Sequence, residues 1–530
     1  MNPGESDYAA IAASMAEALR AGAGTAWAHA TLQLRHTGGS VSCTAWSDTR
    51  DGLRVDYGPI AERLFERPPA VLEVRLDVSG AYRFTARPDL TAVSPGQLVF
   101  DPGFRYPGHP LPGRPRPAGA EPTGAPTDPL VRAEILRLTG EYAAAYTRIK
   151  GTPPRWPAGK TEAELAGAEA RMGVRLPEDL RALYLVADGD PWETGLLGPY
   201  SHDPLDRVVD TYLEGAPGSY GWEDALDDDG VVFETVPFGA VKRLSRNDWW
   251  ITFGGDRAMN YVAVDVDPAA RGHAGQVLEY GRDIYGPLRY VATSITAMLT
   301  EVVAALRAGR YEDPGEQYLF AETDLRDAAE RSYHEVISEA ATLDLPSVVA
   351  GLPGRELVQE VYLNDAADVD LGVFAPLPSL RRLSVNRAGA VTASIGGLGA
   401  LESVRIEATR ADLAGLAGHP ALWDLGLENV REPLDLEVLR TLPRLTRLDL
   451  AGSAVPDLGP IADLPGLRVL GLDAGQVRRL LDLGKPLPRL AALFVAGRTT
   501  LPEMAGLRAA FGGDRAGPVT EFSAVLPGRP

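Results

Sequence analysis

The sequence predicts an α+β protein of several domains: a small N-terminal α+β domain, a larger α+β domain in the middle and a solenoid of short repeats at the C-terminal end. Three observations predict it. Residues 102–129 hold nine prolines and five glycines in 28 positions, a composition that buries no core and reads as a semi-stiff linker. The segments on either side of it mix helical and strand-like spacing of apolar residues. From residue 358 onward an apolar-x-x-apolar-x-apolar pattern recurs at a nearly constant interval. The expected organisation is therefore a domain at 1–101, the linker at 102–129, a domain with a leading helix at 130–309, a helical connector at 310–345, repeats at 346–505 and a tail at 506–530. A chain of 530 residues exceeds what one core organises.

In the first domain "IAASMAEALR" has helical spacing, "ATLQLR" and "VSCTAW" alternate like strands around the turn "HTGGS", and "VLEVRLDVSGAYRFTA" reads as a hairpin. This helix-then-strands order loosely resembles the YezG-like family of bacterial immunity proteins.

The middle domain opens near Gly159-Lys160-Thr161, which ends like a phosphate-binding loop. Pro154 stands where the first glycine of that loop belongs and Pro157 lies inside it, and neither offers an N–H to a phosphate. Thr161 instead caps the next helix and Glu164 closes a capping box. Leu165, Ala168, Met172 and Val174 give that helix an apolar side, and Gly173 stops it. Leu176-Pro177-Glu178 starts a second helix with Leu180, Leu183, Tyr184 and Val186 inward. Strand-like pieces follow at "VVFETVPFG", "WWITFGG", "YVAVDVD" and "GQVLEYG", then a closing helix from Ser294. Trp249 and Trp250 are strand neighbours, so one ring points inward, and the other is either covered or a binding anchor.

The ordered set formed by the acidic helix around Glu169, "GVRLPEDLRALY", "ADGD", "VPFG", the tryptophan strand, "YVAVDVD" and the Ser294 helix resembles the SUKH superfamily of Smi–Knr type. The resemblance covers about 150 of the 530 residues. It implies an α+β fold without catalytic residues, and many bacterial members look like immunity proteins that neutralise polymorphic toxins. The residues this domain would offer a partner are Trp249, Trp250 and the acidic loop Asp227, Asp228 and Asp229.

The repeat anchors are Val358, Leu380, Leu401, Leu422, Leu445, Leu467 and Leu490, spaced by 22, 21, 21, 23, 22 and 23 residues. That period and pattern are those of leucine-rich repeats. The asparagine expected eight residues after each anchor is Ala366, Ala388, Thr409, Val430, Ser453, Gly475 and Arg498, so an irregular solenoid is expected. With the leucines inward, the intervening strand residues line the concave face. Arg381, Arg382, Arg405, Trp423, Arg447 and Arg468 stand out there among acids and aromatics. A mixed-charge face with Arg and Trp anchors suits a protein partner better than nucleic acid.

Catalytic and metal signatures are weak throughout. The seven histidines form no H-x-H or i, i+4 pair, and "HEVIS" at 334–338 has Ser338 where a second zinc ligand belongs. Around Gly230, "EDALDDDGVVFETV" lacks both end ligands of a calcium loop, with Ala225 and Val236 in their places. Cys43, the only cysteine, sits in an alternating strand without an adjacent base. No cofactor or metal is expected. The net charge of −20, from 72 acidic against 52 basic residues, disfavours nucleic acid and anionic membranes and favours a cationic partner. The start "MNPGESDYAAIAASMAEALR" has no signal-peptide pattern, so a cytoplasmic location is expected. The reading that results is a non-enzymatic protein-binding protein, an immunity protein against a basic toxin domain. The alternative is a cytoplasmic scaffold or regulator that assembles host proteins through the repeats.

Overall fold

A computed structural model describes residues 3–24, 27–36, 40–87, 93–94, 96–191, 193–215, 230–284, 286–323, 333–512 and 519–527. Its helices and strands make an α+β protein.

The N-terminal unit lays helix Pro3–Ala23 on an antiparallel sheet with strand order Val41–Ser47, His29–His36, Ala70–Asp77, Ala81–Arg87, Thr520–Val525. Leu32, Leu34, Leu72, Val74 and Phe84 alternate along the strands and meet Ile11, Met15 and Leu19 of the helix, which is how period 2 and period 3.6 share one core. The last strand corrects the expectation of a tail at 506–530. In "TEFSAV" Phe522 alternates inward, its ring 5.0 Å from that of Phe84, and Leu526 closes the core behind it. A chain ending at Gly512 is expected to lose amide protection along Ala81–Arg87, measured by hydrogen exchange, while the repeat strands keep theirs. Burial pushes the half-buried Cys43 thiol up to about 11. The native protein should therefore react with a disulfide reagent at about pH 8 far more slowly than the urea-unfolded chain, read as thiolate release.

In the middle unit, helices Pro129–Lys150, Glu162–Met172, Glu178–Val186, Leu205–Glu214 and Ile295–Arg307 pack with a four-stranded antiparallel sheet ordered Arg289–Ala292, Gln276–Gly281, Asn260–Asp265, Trp250–Gly255. The Thr161–Glu164 capping box forms, Gly173 ends its helix in the left-handed region (φ 71°), and Ser294 caps the last helix through Ala297 N. Gly159 comes so close to the neighbouring chain that a Cβ would lie 2.1 Å from Leu185 O. Lys160 pairs with Asp188 at 2.9 Å. The Gly-Lys-Thr triplet is thus a close approach, an ion pair and a cap. The stretch 231–239 is not the expected strand: it bends and turns from 236, and Glu234 is held by side chains of the C-terminal array, as described below.

The C-terminal array is a parallel sheet running in chain order through His334–Ile337, Glu360–Asn364, Arg382–Thr392, Ser403–Asp412, Asp424–Leu427, Arg447–Asp449, Val469–Asp473 and Ala492–Ala496. Glu360 registers with Arg382, Arg382 with Ser403, Ser403 with Asp424, Asp424 with Arg447, Arg447 with Val469 and Val469 with Ala492. Each rung is therefore one sequence period. The anchors Leu380, Leu401, Leu422, Leu445, Leu467 and Leu490 form one continuous core. Strand His334–Ile337 corrects the expected helical connector at 310–345: it adds a rung before the first anchor, paired with Glu360–Asn364. At the far end Gln97–Val99 pairs antiparallel with Ala492–Ala496, so the segment after the first domain closes the sheet edge.

The missing asparagines are replaced in two ways. Where the sequence has Ala366, Ala388 and Thr409, the chain runs on as a second short sheet of Asp368–Asp370 and the distal halves of Arg382–Thr392 and Ser403–Asp412. Further along, Ser453 Oγ accepts from Val430 N (2.8 Å), and Gln476 Nε2 donates to Leu450 O (2.8 Å) and Ser453 O (2.9 Å). Gln476 lies one position past the expected ladder site, and its longer side chain makes up the distance.

Candidate interaction surfaces

The array face opposite the leucine core is occupied by the chain itself. Trp423 is 1 % exposed. Its indole Nε1 donates to Glu402 (3.1 Å), and its ring lies 5.1 Å from that of Tyr106, centroid to centroid. Gly230 sits against both rings: a Cβ there would fall 2.8 Å from Tyr106 and 3.1 Å from Trp423. Glu402 also receives Arg381 (2.8 Å) and Arg243 (2.6 Å), and the second arm of Arg381 reaches Glu234 (3.0 Å). The Gln359 carboxamide brackets the Glu234 backbone, accepting from its N–H at 2.7 Å and donating to its carbonyl at 2.8 Å. Glu234, at the middle of 231–239, thus has its backbone bonded by an array side chain, while Arg243 takes the Val232 carbonyl, so side chains stand where a strand neighbour would.

The arginines expected to anchor a partner on this face are used internally, which corrects that expectation. Arg382 pairs with Glu360 (2.9 Å) and stacks over Phe233. Arg405 reaches Glu428 (3.2 Å) and Asp424 (3.6 Å), while Arg447 lies over Tyr106 with Asp424 at 3.8 Å. Arg468 holds Asp101 (2.6 Å) and covers Phe104. The physical reason is that the chain brings its own aromatics and acids here: Phe104 and Tyr106 of the "linker" and Phe233 lie under Arg468, Arg447 and Arg382, and Asp424 and Glu428 hold Arg405. Residues 102–129 are thus not a loose connection: Phe104 and Tyr106 strap the array, and 108–128 run on along the middle unit, bonding to Ser245, Asp248, Arg175 and Glu162. A sequence signal existed in the aromatics of "FRYPGH", but the proline count outweighed it.

Trp249 is not a strand residue as expected but ends the turn before strand Trp250–Gly255; the two rings enter different clusters, and both are covered. Trp249 joins Leu205, Val208 and Val209 in the helical core, whereas Trp250 packs among Ala240, Val241, Ala263 and Leu278. Neither offers an exposed anchor. Asp227, Asp228 and Asp229 lie outside the described residues.

Strap and helices meet at a buried ion cluster that sequence reading passed over. Arg181 and Glu169, both fully buried, are 2.6 Å apart, and Arg181 also reaches Glu162 at 2.7 Å and Thr127 Oγ1 at 3.2 Å. Glu169 accepts from Leu176 N as well (2.9 Å), and Glu178 accepts from Asp128 N (2.8 Å). Beside the cluster lies a groove of about 550 Å³ lined by Ala118, Leu176, Pro177, Val266, Ala274 and Asp179. Burial raises the Asp179 carboxyl above the usual carboxylate range, although it accepts from Thr296 N at 3.1 Å. Arg175 and Glu178 line the groove too, so an apolar floor meets a wall of both charges, which suits an apolar side chain flanked by polar groups. A second cleft, of about 530 Å³, lies where the middle unit meets the array and is lined by Phe233, Tyr261, Tyr280 and Tyr362.

His202 is buried against the Tyr184 ring, 4.7 Å between centroids, and burial pushes it down to about 4. The unfolded chain then binds the extra proton as pH falls from about 6.5, so stability is lost on that descent. Asp265, pushed up to about 6 by burial, acts oppositely: it costs stability at neutral pH and returns it as pH falls. The wild-type minus His202→Phe stability difference isolates the first group. It should shrink by about 2 kcal/mol from pH 7 to pH 5 in urea titrations.

Among the described residues no helix is long and apolar enough to cross a membrane, and no group of three or more His, Cys, Asp and Glu residues is gathered as a metal would require. Residues 159–301 match the SMI1/KNR4 family (SUKH-1), so a SUKH-type module occupies the middle of the chain. Three fungal proteins are similar over part of their length. They are a KNR4/SMI1 homolog of Yarrowia lipolytica (35 % identical over 92 residues, 17 % of this chain and 13 % of that protein), a glucan synthesis regulatory protein of Neurospora crassa (34 % over 107 residues, 20 % of each) and KNR4/SMI1 homolog 2 of Debaryomyces hansenii (26 % over 98 residues, 18 % of this chain and 16 % of that protein). This chain thus spans a fifth or less of the length of those relatives. Among solved structures, an internalin from Listeria monocytogenes aligns with a TM-score of 0.20 at 16 % identity, covering 29 % of this chain and 52 % of that one.

Proposed function

We propose that this chain is a non-enzymatic, cytoplasmic protein-binding protein whose SUKH-type module neutralises a polymorphic toxin by covering it. The observation that carries this reading is the SUKH-1 match over residues 159–301. The net charge of −20 complements a basic toxin domain and would accelerate its capture. We read the C-terminal array as an irregular leucine-rich-repeat solenoid that serves as a rigid support, and the first unit as a YezG-like domain. The groove beside Asp179 is the surface assigned to the partner. The test pairs the purified full chain with toxin domains encoded beside it. One of them should bind at one-to-one stoichiometry by calorimetry and lose its toxicity on co-expression. Ala274→Arg, at an exposed wall of the groove, should weaken that binding by about tenfold or more without moving the urea midpoint. If no such domain binds, the toxin reading fails.

The name of the Neurospora crassa relative, a glucan synthesis regulatory protein, favours a second reading as a regulator that assembles host proteins. That role would show as reproducible binding to several host proteins and no protection against any toxin.

A further inference from the structure

The array has an unfilled slot at its first repeat. The short second sheet stacks Asp368–Asp370 on Val391 and its neighbours, and those on Ala411 and its neighbours. Among the described residues no strand stands at that level one repeat earlier: the chain turns through Ala340–Thr342 and enters helix Leu345–Gly351. Among the described residues Asp368–Asp370 therefore pairs with one neighbour only, and its other edge faces a groove of about 660 Å³. The floor is apolar, made by Leu343, Leu345, Ala367, Val369 and Val373, and Leu343 is 42 % exposed. The rim is acidic, with Asp344, Asp368 and Asp370 all exposed.

An unpaired strand edge beside an apolar trough is a template for strand addition, in which backbone bonds give affinity and alternate side chains give selectivity. The occupant follows from charge. Three rim carboxylates on a strongly acidic protein repel an acidic segment and attract a basic one. We propose that this groove docks an extended segment of a partner protein in which lysine or arginine alternates with small apolar residues. The segment would add as a strand to Asp368–Asp370, with its apolar side on Val369 and Leu343 and its cations on the rim. The surface is separate from the SUKH-type module, so this proposal and the toxin reading stand or fall independently.

The test uses the full chain and a short fluorescein-labelled peptide alternating lysine and valine, with a glutamate–valine peptide as control. The lysine peptide should bind saturably and slow amide exchange at 366–370, while the glutamate peptide should not bind. Asp344→Lys combined with Asp368→Lys, and Asp368→Lys alone in case the double variant folds poorly, should weaken binding by about tenfold or more with an unchanged urea midpoint. Absence of saturable binding, equal binding by the variants, or binding without slowed exchange at 366–370 would each overturn the proposal. So would a concentration-dependent dimer that buries the groove, since a second copy would then be the occupant.

Discussion

Trp423→Ala is expected to destabilise the protein by about 3–5 kcal/mol, read as a lower urea midpoint. Three effects add. The indole is fully enclosed, so its removal leaves a cavity under Tyr106 and Gly230. It also withdraws a donor from Glu402, which is already shared by Arg381 and Arg243. Finally, it loosens the Tyr106–Trp423 ring contact (5.1 Å) that ties the strap to the array at mid-sheet. A tryptophan that served an outside partner would behave differently, with binding lost and stability kept. An unchanged midpoint would therefore restore the open-face reading of the array.

Arg181→Ala is expected to cost about 3–5 kcal/mol, because it strips buried Glu169 of its 2.6 Å partner and leaves only Arg175 at 3.9 Å. The pair itself need not be strongly stabilising, since desolvation offsets most of its attraction. The double variant Arg181→Met, Glu169→Gln should therefore recover most of the loss. Thermal unfolding of the two single variants and the double completes the cycle. If Arg181→Ala unfolds within about 1 kcal/mol of the parent, the cluster is better hydrated than its zero exposure indicates and the clamp on the strap is weak.

Local rules carried much of the fold. The capping box at Thr161, the Gly173 stop and the Ser294 cap act within a turn of the chain, so their residues are enough to place them. The array period is legible for the same reason, since every rung repeats the same inward leucine. What stayed hidden depends on distant partners. Residues 231–239 alternate like a strand, yet at Glu234 the backbone is bonded by Gln359, 125 positions away, instead of by a neighbouring strand. The strap reads as a linker by composition, because proline counts say nothing about a Tyr–Trp contact across the chain. The C-terminal "TEFSAV" reads as a tail because its sheet lies in the first domain. The candidate site suffered most. Column assignment in the repeats placed Arg381, Arg382, Trp423, Arg447 and Arg468 on one face, but nothing local announces that the face is filled by residues 101–109 and 230–234.

Hydrogen exchange of the full chain reads directly whether the chain fills the inner face of the array. The amides of Phe100 and Asp101 bond to Ala491 O, that of Ser245 to Gly108 O and that of Glu234 to Gln359 Oε1. The account predicts that these amides exchange as slowly as the strand amides beneath them, because strap and array open together. Exchange at the rate of a free chain, with the array strands still protected, would contradict it and leave the inner face open to a partner.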